Sequence, residues 1–253
     1  MTGTETSLYE VTSQTSTVDL SSLEVLNWAP VWLTGSERLL LYSLIYSLRP
    51  KRYLEIGTLH GGSALIVAAA MDASNSPGRI VCVDIAPQID PSHWRKLEHR
   101  VHMVIGHSSE VIPSAYHAAG GPFDFVFIDG DHRASGVLSD ANKVLPFVAM
   151  GGYLLFHDSY HEGVIRATRD FSLQHLGRVL DFGNITREFS CDRQPGKEPE
   201  YFCGFRLMQL RPPVGGLLSR TWHHWRLGLV FAVRQRTPVP RFVKSAWHAL
   251  RKL

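Results

Sequence analysis

The chain has 253 residues, with 26 Lys+Arg, 23 Asp+Glu and 44% hydrophobic residues, the proportions of a globular domain large enough to bury its own core. They exclude collagen, coiled coil and wholesale disorder, and no run of about 18 apolar residues reads as a membrane span. Three cysteines, Cys82, Cys191 and Cys203, lack CxxC spacing and argue against a disulfide framework; with no basic-then-apolar leader at the N-terminus, a cytoplasmic location is expected.

Residues 1–22 hold six Thr and five Ser and little to bury, so residues 1–33 are expected to form a partly disordered N-terminal arm ahead of a domain spanning 34–210. Thr34-Gly-Ser-Glu37 has the pattern of a capping box. It opens a predicted helix in which Leu40/Leu41, Leu44/Ile45 and Leu48 recur at helical spacing until Pro50 stops it. Short apolar runs then alternate with helix-length segments, the pattern of a doubly wound α/β sheet. Five runs read as buried parallel strands: 52–56 (RYLEI), 80–84 (IVCVD), 102–105 (HMVI), 123–128 (FDFVFI) and 152–156 (GYLLF). A helix near 162–176 leads to two strand-like runs, 184–191 and 201–210, expected as an antiparallel pair at the sheet edge.

In such a sheet, ligands bind beyond the carboxyl ends of the strands. The first strand ends in Glu55-Ile-Gly57-Thr-Leu-His-Gly61-Gly62-Ser63. Glycines let the backbone approach a ligand and turn sharply into a helix whose free N–H groups hold anions. The G-x-G-x-x-G spacing of dinucleotide enzymes is absent, and an acid before Gly57 suits a ligand bearing a cation, such as an amino-acid ammonium. A plain strand-to-helix turn stays open as an equal alternative. The second strand ends at Asp84, where an acid commonly accepts both ribose hydroxyls, or else caps a helix. The third ends in Gly106-His-Ser108-Ser-Glu110, a small polar edge able to border a purine ring. Three consecutive strand ends therefore agree on an adenosine-containing ligand.

These motifs, LEIGTLHGGSAL, VCVDIAP, GHSSEVIP, FDFVFIDGDH and MGGYLLFHDS, resemble the class I S-adenosylmethionine-dependent methyltransferases over roughly residues 34–210. The likeness is to the metal-dependent O-methyltransferases, in particular the macrocin and mycinamicin sugar group, and more distantly to catechol O-methyltransferase. The resemblance implies a Rossmann-like seven-stranded sheet with the last strand antiparallel. It also implies a site in which Glu55, Gly57, Gly61 and Ser63 surround the methionine part of S-adenosylmethionine, Asp84 its ribose and Ser108 its adenine.

The fourth and fifth strands end in Asp129-Gly-Asp131-His132 and His157-Asp158. Adjacent parallel strands place Asp129, His157 and Asp158 side by side, where a divalent ion, Mg²⁺ or Mn²⁺, would keep neighbouring carboxylates ionised. In the resembling family the His157 position is an acid or amide. Histidine is a poor Mg²⁺ ligand, so either the metal differs or His157 points elsewhere, and Asp129 and Asp158 carry the assignment. His132 stands where the sugar enzymes place a histidine base and titrates near neutrality; its plainer reading is a helix cap. Asp131 reads as a cap or supporting acid, Asp140 as a solvated or supporting group, and His60, His107, Tyr160 and His161 as cleft neighbours.

Residues 211–253 carry nine Lys+Arg and no Asp or Glu, which leaves 17 basic and 23 acidic residues before them. Trp222, Trp225, Phe242 and Trp247 lie on apolar stripes of two expected amphipathic helices over 217–253. The basic tail suits packing on the acidic body or on a second subunit of a homo-oligomer, then peripheral contact with an anionic membrane, and nucleic acid last. The expected activity is O-methylation of a sugar or glycosylated small-molecule acceptor, with an oligosaccharide within that class. The alternatives are a catechol-type phenol acceptor, and a cofactor-binding scaffold acting through its tail.

Overall fold

The computed structural model describes residues 20–211 apart from 195 and 197. The expectations for residues 1–19 of the arm and 212–253 of the tail, including its two helices, lie outside the described residues. Among the described residues no helix is long and apolar enough to cross a membrane.

A 3-10 turn, Leu20–Glu24, precedes α1 (Val25–Trp28) and α2 (Gly35–Leu48). Both halves of the capping box that opens α2 are made: Thr34 accepts from the Glu37 backbone N–H, and Glu37 accepts from that of Thr34. Then follow β1 (Arg52–Ile56), α3 (Gly62–Ala73), β2 (Arg79–Asp84), α4 (Pro91–Leu97), β3 (Val101–Ile105), α5 (Ser108–Ala119), β4 (Phe123–Ile128), α6 (Ala134–Val144), β5 (Val148–Phe156), α7 (Glu162–Gln174), β6 (Val179–Asn184), β7 (Ser190–Asp192), β8 (Glu200–Phe202) and β9 (Arg206–Leu210).

Seven strands form one sheet in the order β3-β2-β1-β4-β5-β9-β6. Strands β1 to β5 pair in parallel, and β9 runs antiparallel to both of its neighbours, which is the sheet of a class I methyltransferase. Period-two alternation divides the core between the two faces. Leu54, Ile56, Val81, Val126, Ile128 and Phe156 pack against α5, α6 and α7, whereas Tyr53, Cys82, Phe125, Phe127 and Leu155 pack against α2 and α3. With β2 and β3 on one side of β1 and β4 and β5 on the other, the order reverses at β1/β4, where the carboxyl ends diverge into a crevice.

Two expectations change. The run 184–191 is not the edge strand; that place is taken by β6, and β9 inserts between it and β5. Ile185 still follows β9 through a bond from its N–H to the Phe205 carbonyl, and the Thr186 hydroxyl accepts from the Phe205 N–H, which explains its strand-like sequence. The run 201–210 breaks into β8 and β9 at Cys203 and Gly204, whose φ angles of 67° and 89° leave the extended region. The piece before the break pairs with β7 in a separate two-stranded ribbon. Residues 20–33, assigned by composition to the arm, dock on the domain and bury Val25, Ala29 and Leu33 against α2 and α3.

Candidate active site

At the switch point, a cavity of about 970 Å³ opens between the ends of β1, β2, β3, β4 and β5. Its floor is the glycine turn. Gly57 has φ +89°, and a Cβ there would stand 2.3 Å from the Asp129 carbonyl oxygen, so glycine is what lets the ends of β1 and β4 abut. Asp84 reaches across from β2 and organises the turn. One of its oxygens accepts from the N–H groups of Thr58 and Leu59, both at 2.8 Å, and the other from Ala86 at 2.8 Å.

Ser63, in the first turn of α3, lines the cavity and donates to Glu55 at 3.0 Å. Glu55 itself is fully buried beneath the turn, where Tyr53 also donates to it at 3.2 Å. It faces Ser63 and does not line the cavity; Gly61, the left-handed cap of α3, likewise stands behind the surface. Burial pushes the Glu55 carboxyl from the ordinary 4.5 up to about 8. At the end of β3, Ser108 lines the cavity and donates to Asp140 of α6 at 2.5 Å. Asp140 is buried and its pKa is raised by that burial. It is a supporting group, and of its two expected places the solvated one is not taken.

The opposite wall holds the acid and histidine cluster. One ligand atom each from Asp129, His132 and Asp158 lies within 4.8 Å of the others. The two carboxylates, facing an open cavity, fit a divalent cation with room for further oxygen ligands, and the His132 imidazole stands beside them. His132 Nε2 stands 2.7 Å from Asp158 Oδ2, and this hydrogen bond raises the His132 pKa. Burial alone would raise the Asp158 pKa, but the bonds from His132 and His157 outweigh it and hold the carboxyl far below its usual range. His157 turns Nδ1 toward Asp129 at 2.8 Å and Asp158 at 3.2 Å, and turns Nε2 away from the cavity, toward Glu37 at 3.5 Å. The histidine that groups with the two carboxylates is therefore His132, and His157 stands behind them.

Asp131 pairs with Arg133, with its pKa lowered by that contact. His60 and His107 line the cavity. Tyr160 donates to the Thr186 carbonyl and His161 caps α7, so both serve the fold. The sequence reading missed the cavity's side walls. Arg38 donates to the carbonyls of Leu26, Ala29, Val31 and Leu33 and so moulds the segment that brings Pro30, Val31 and Trp32 to one side. Across from it stands Phe202 of β8, its ring 5.8 Å from His132. An arginine in the first turn of a helix, ahead of a glycine turn, was the available but weak signal.

Residues 54–159 match the family model of a methyltransferase domain. A catechol O-methyltransferase of Mycobacterium tuberculosis is 34% identical over 90 residues, 34% of this chain and 38% of that protein. A rhamnosyl O-methyltransferase of Mycobacterium bovis is 28% identical over 138 residues, 52% of this chain and 55% of that one. The chain thus spans about half the length, or less, of these curated relatives. Among solved structures, an O-methyltransferase from Bacillus cereus in complex with S-adenosylhomocysteine superposes with a TM-score of 0.56 at 20% identity, covering 76% of this chain and 89% of that one. TomG from Streptomyces achromogenes, in complex with S-adenosylmethionine, gives 0.52 at 18%, covering 76% and 87%. At these identities the two structures establish the fold.

Proposed function

We propose that this chain, whose residues 54–159 carry a methyltransferase domain of the class I fold, is an S-adenosylmethionine-dependent O-methyltransferase that acts on a hydroxyl of a sugar or glycosylated small molecule. The observation that carries the reading is one cavity with two chemically distinct walls. On one are the Gly57–Ser63 turn, Asp84 and Ser108; on the other are Asp129, Asp158 and His132.

In this reading the first wall takes the cofactor, with Ser63 at its methionine end, Asp84 at the ribose and Ser108 at the adenine. Glu55 acts on the methionine end through Ser63. Asp129 and Asp158 would hold the divalent cation, Mg²⁺ or Mn²⁺, whose chemistry there is to fix two acceptor oxygens and lower the hydroxyl pKa. The acceptor oxygen attacks the methyl carbon, the carbon–sulfur bond breaks toward the sulfonium, and His132 takes the hydroxyl proton. The products are a methyl ether and S-adenosylhomocysteine. Phe202 and Trp32 supply apolar faces on which a sugar ring can lie. The likeness to a rhamnosyl enzyme over 52% of the chain supports a sugar acceptor; likeness to a catechol enzyme, and over 54% of the chain to a probable caffeoyl-CoA O-methyltransferase of Dictyostelium discoideum, supports the second reading, a catechol-type phenol. Three free thiols among the described residues support a cytoplasmic location, and we assign a homo-oligomeric state on the family likeness.

Calorimetric titration of S-adenosylhomocysteine into metal-stripped protein, repeated with Mg²⁺, Mn²⁺ and a panel of free and 3-O-methylated hexosides and catechols, tests this. Cofactor binding with metal-dependent hexoside binding is expected. Metal-dependent catechol binding alone moves the acceptor to the phenol class, and no cofactor binding under any condition overturns the proposal.

A further inference from the structure

Behind the second wall lies a separate group of donors. Glu37, His157 and Cys203 each place one ligand atom within 4.8 Å of the others. They come from three places: the first turn of α2, the end of β5, and the break between β8 and β9. Glu37 is fully buried, and His157 is 6% exposed. His157 Nε2 points into this group and is buried, its facing acceptor being Glu37 Oε1 at the long distance of 3.5 Å; the Ser159 hydroxyl, 1% exposed, is unpartnered. Buried polar atoms without partners are uncommon and call for an occupant.

We propose that Glu37, His157 and Cys203 bind a thiophilic divalent cation, Zn²⁺ in the first instance, at a site distinct from the Asp129/His132/Asp158 cleft and linked to it through the His157 ring. Three features support it. The separation of His157 Nε2 and Glu37 Oε1, 3.5 Å, is long for a hydrogen bond. It is close to the roughly 3.3 Å that two zinc bonds of about 2.0–2.1 Å span at a tetrahedral angle. The other ring nitrogen faces Asp129 at 2.8 Å, and a metal-bound histidine characteristically donates its second N–H to a carboxylate, which fixes tautomer and orientation. A thiolate, an imidazole and a carboxylate together select Zn²⁺ over Mg²⁺.

The local backbone is built around this point. Cys203 has φ 67° and Asp158 φ 50°, conformations that non-glycine residues adopt only when their surroundings enforce them. Here the Cys203 N–H donates to Asp158, and the N–H of Gly204 donates to Glu37. Cys203 and His157 also line the large cavity, which gives an ion a way in. An ion bound there would tie α2, β5 and β9 together at the back of the catalytic wall, leaving the His157 Nδ1–H to donate to Asp129. The site does not depend on the methyltransferase reading, and its test needs neither cofactor nor acceptor.

The test is Co²⁺ titration of the full-length, metal-stripped chain. A thiolate-to-cobalt charge-transfer band that saturates at one equivalent and is displaced by Zn²⁺ is expected. Cys203→Ser should abolish the band while circular dichroism stays unchanged, and Cys191→Ser should leave it. Asp129→Asn, which removes the carboxylate behind the ring, should weaken Zn²⁺ at this site by about 10–100-fold in a chelator competition. Absence of the band in the native chain, or its survival in Cys203→Ser, overturns the proposal and leaves the His157 ring set between Asp129 and Asp158 on one side and Glu37 on the other.

Discussion

Replacing Glu55 by Gln probes the buried acid beneath the glycine turn. Its carboxyl moves from 4.5 up to about 8 on folding, chiefly because burial removes water from the charged form. Between those values the folded chain holds a proton that the unfolded chain releases. Stability therefore falls as pH rises from about 4.5 to about 8, and this contribution is level outside the window. At about 1.4 kcal/mol per pH unit, the loss across the window is about 5 kcal/mol, of which about 3 kcal/mol has gone by pH 7. Glu55→Gln is neutral throughout, and its amide oxygen can still accept from Ser63. Urea unfolding from pH 5 to 8.5 is the assay. The stability of the variant relative to the native chain is expected to climb by several kcal/mol across the range, because the other titrating groups cancel in the difference. Parallel pH profiles for the two proteins would refute the reasoning and place an ionised, compensated Glu55 beneath the turn.

His132→Ala is expected to lower kcat/KM for methyl transfer by about 10²–10⁴-fold with cofactor affinity retained, measured by formation of S-adenosylhomocysteine. Gly57→Ala meets the Asp129 carbonyl at 2.3 Å and a φ of +89°; the backbone conformation alone costs about 1–3 kcal/mol, and a loss of cofactor binding should accompany the lower Tm. Ser108→Ala leaves the buried Asp140 without its hydroxyl donor and is expected to cost about 1–3 kcal/mol in denaturant unfolding.

The strands and the glycine turn were legible in the sequence because each is encoded locally. A run such as FDFVFI is apolar on both faces only where a strand is covered on both sides, and Gly57 and Gly61 mark a turn that few other residues can make. Thr34 and Glu37 announced the start of α2 through a four-residue pattern, and β1 and β4 fall where they were expected. The order β5-β9-β6 was not legible in detail. The run 184–191 has strand composition, but β9 pairs with β6, and the break at Cys203 and Gly204 is made by bonds to Asp158 and Glu37, residues 45 and 167 positions away.

The same division runs through the site. Residue type and strand-end position sufficed to bring Asp84, Ser108, Asp129, His132 and Asp158 to one cavity, because parallel strands deliver their carboxyl ends to a common edge. Which way a side chain turns there was decided by tertiary packing. Glu55 lies on the face of β1 covered by α3, so it supports Ser63 from behind. His157 has the Glu37 carboxylate on one side and Asp129 on the other, so its ring spans two groups of ligands. Arg38 gathers four carbonyls and sets the Pro30–Trp32 wall. Each depends on residues brought together from distant parts of the chain, whose proximity no local pattern encodes, and that is where the sequence stops and the fold decides.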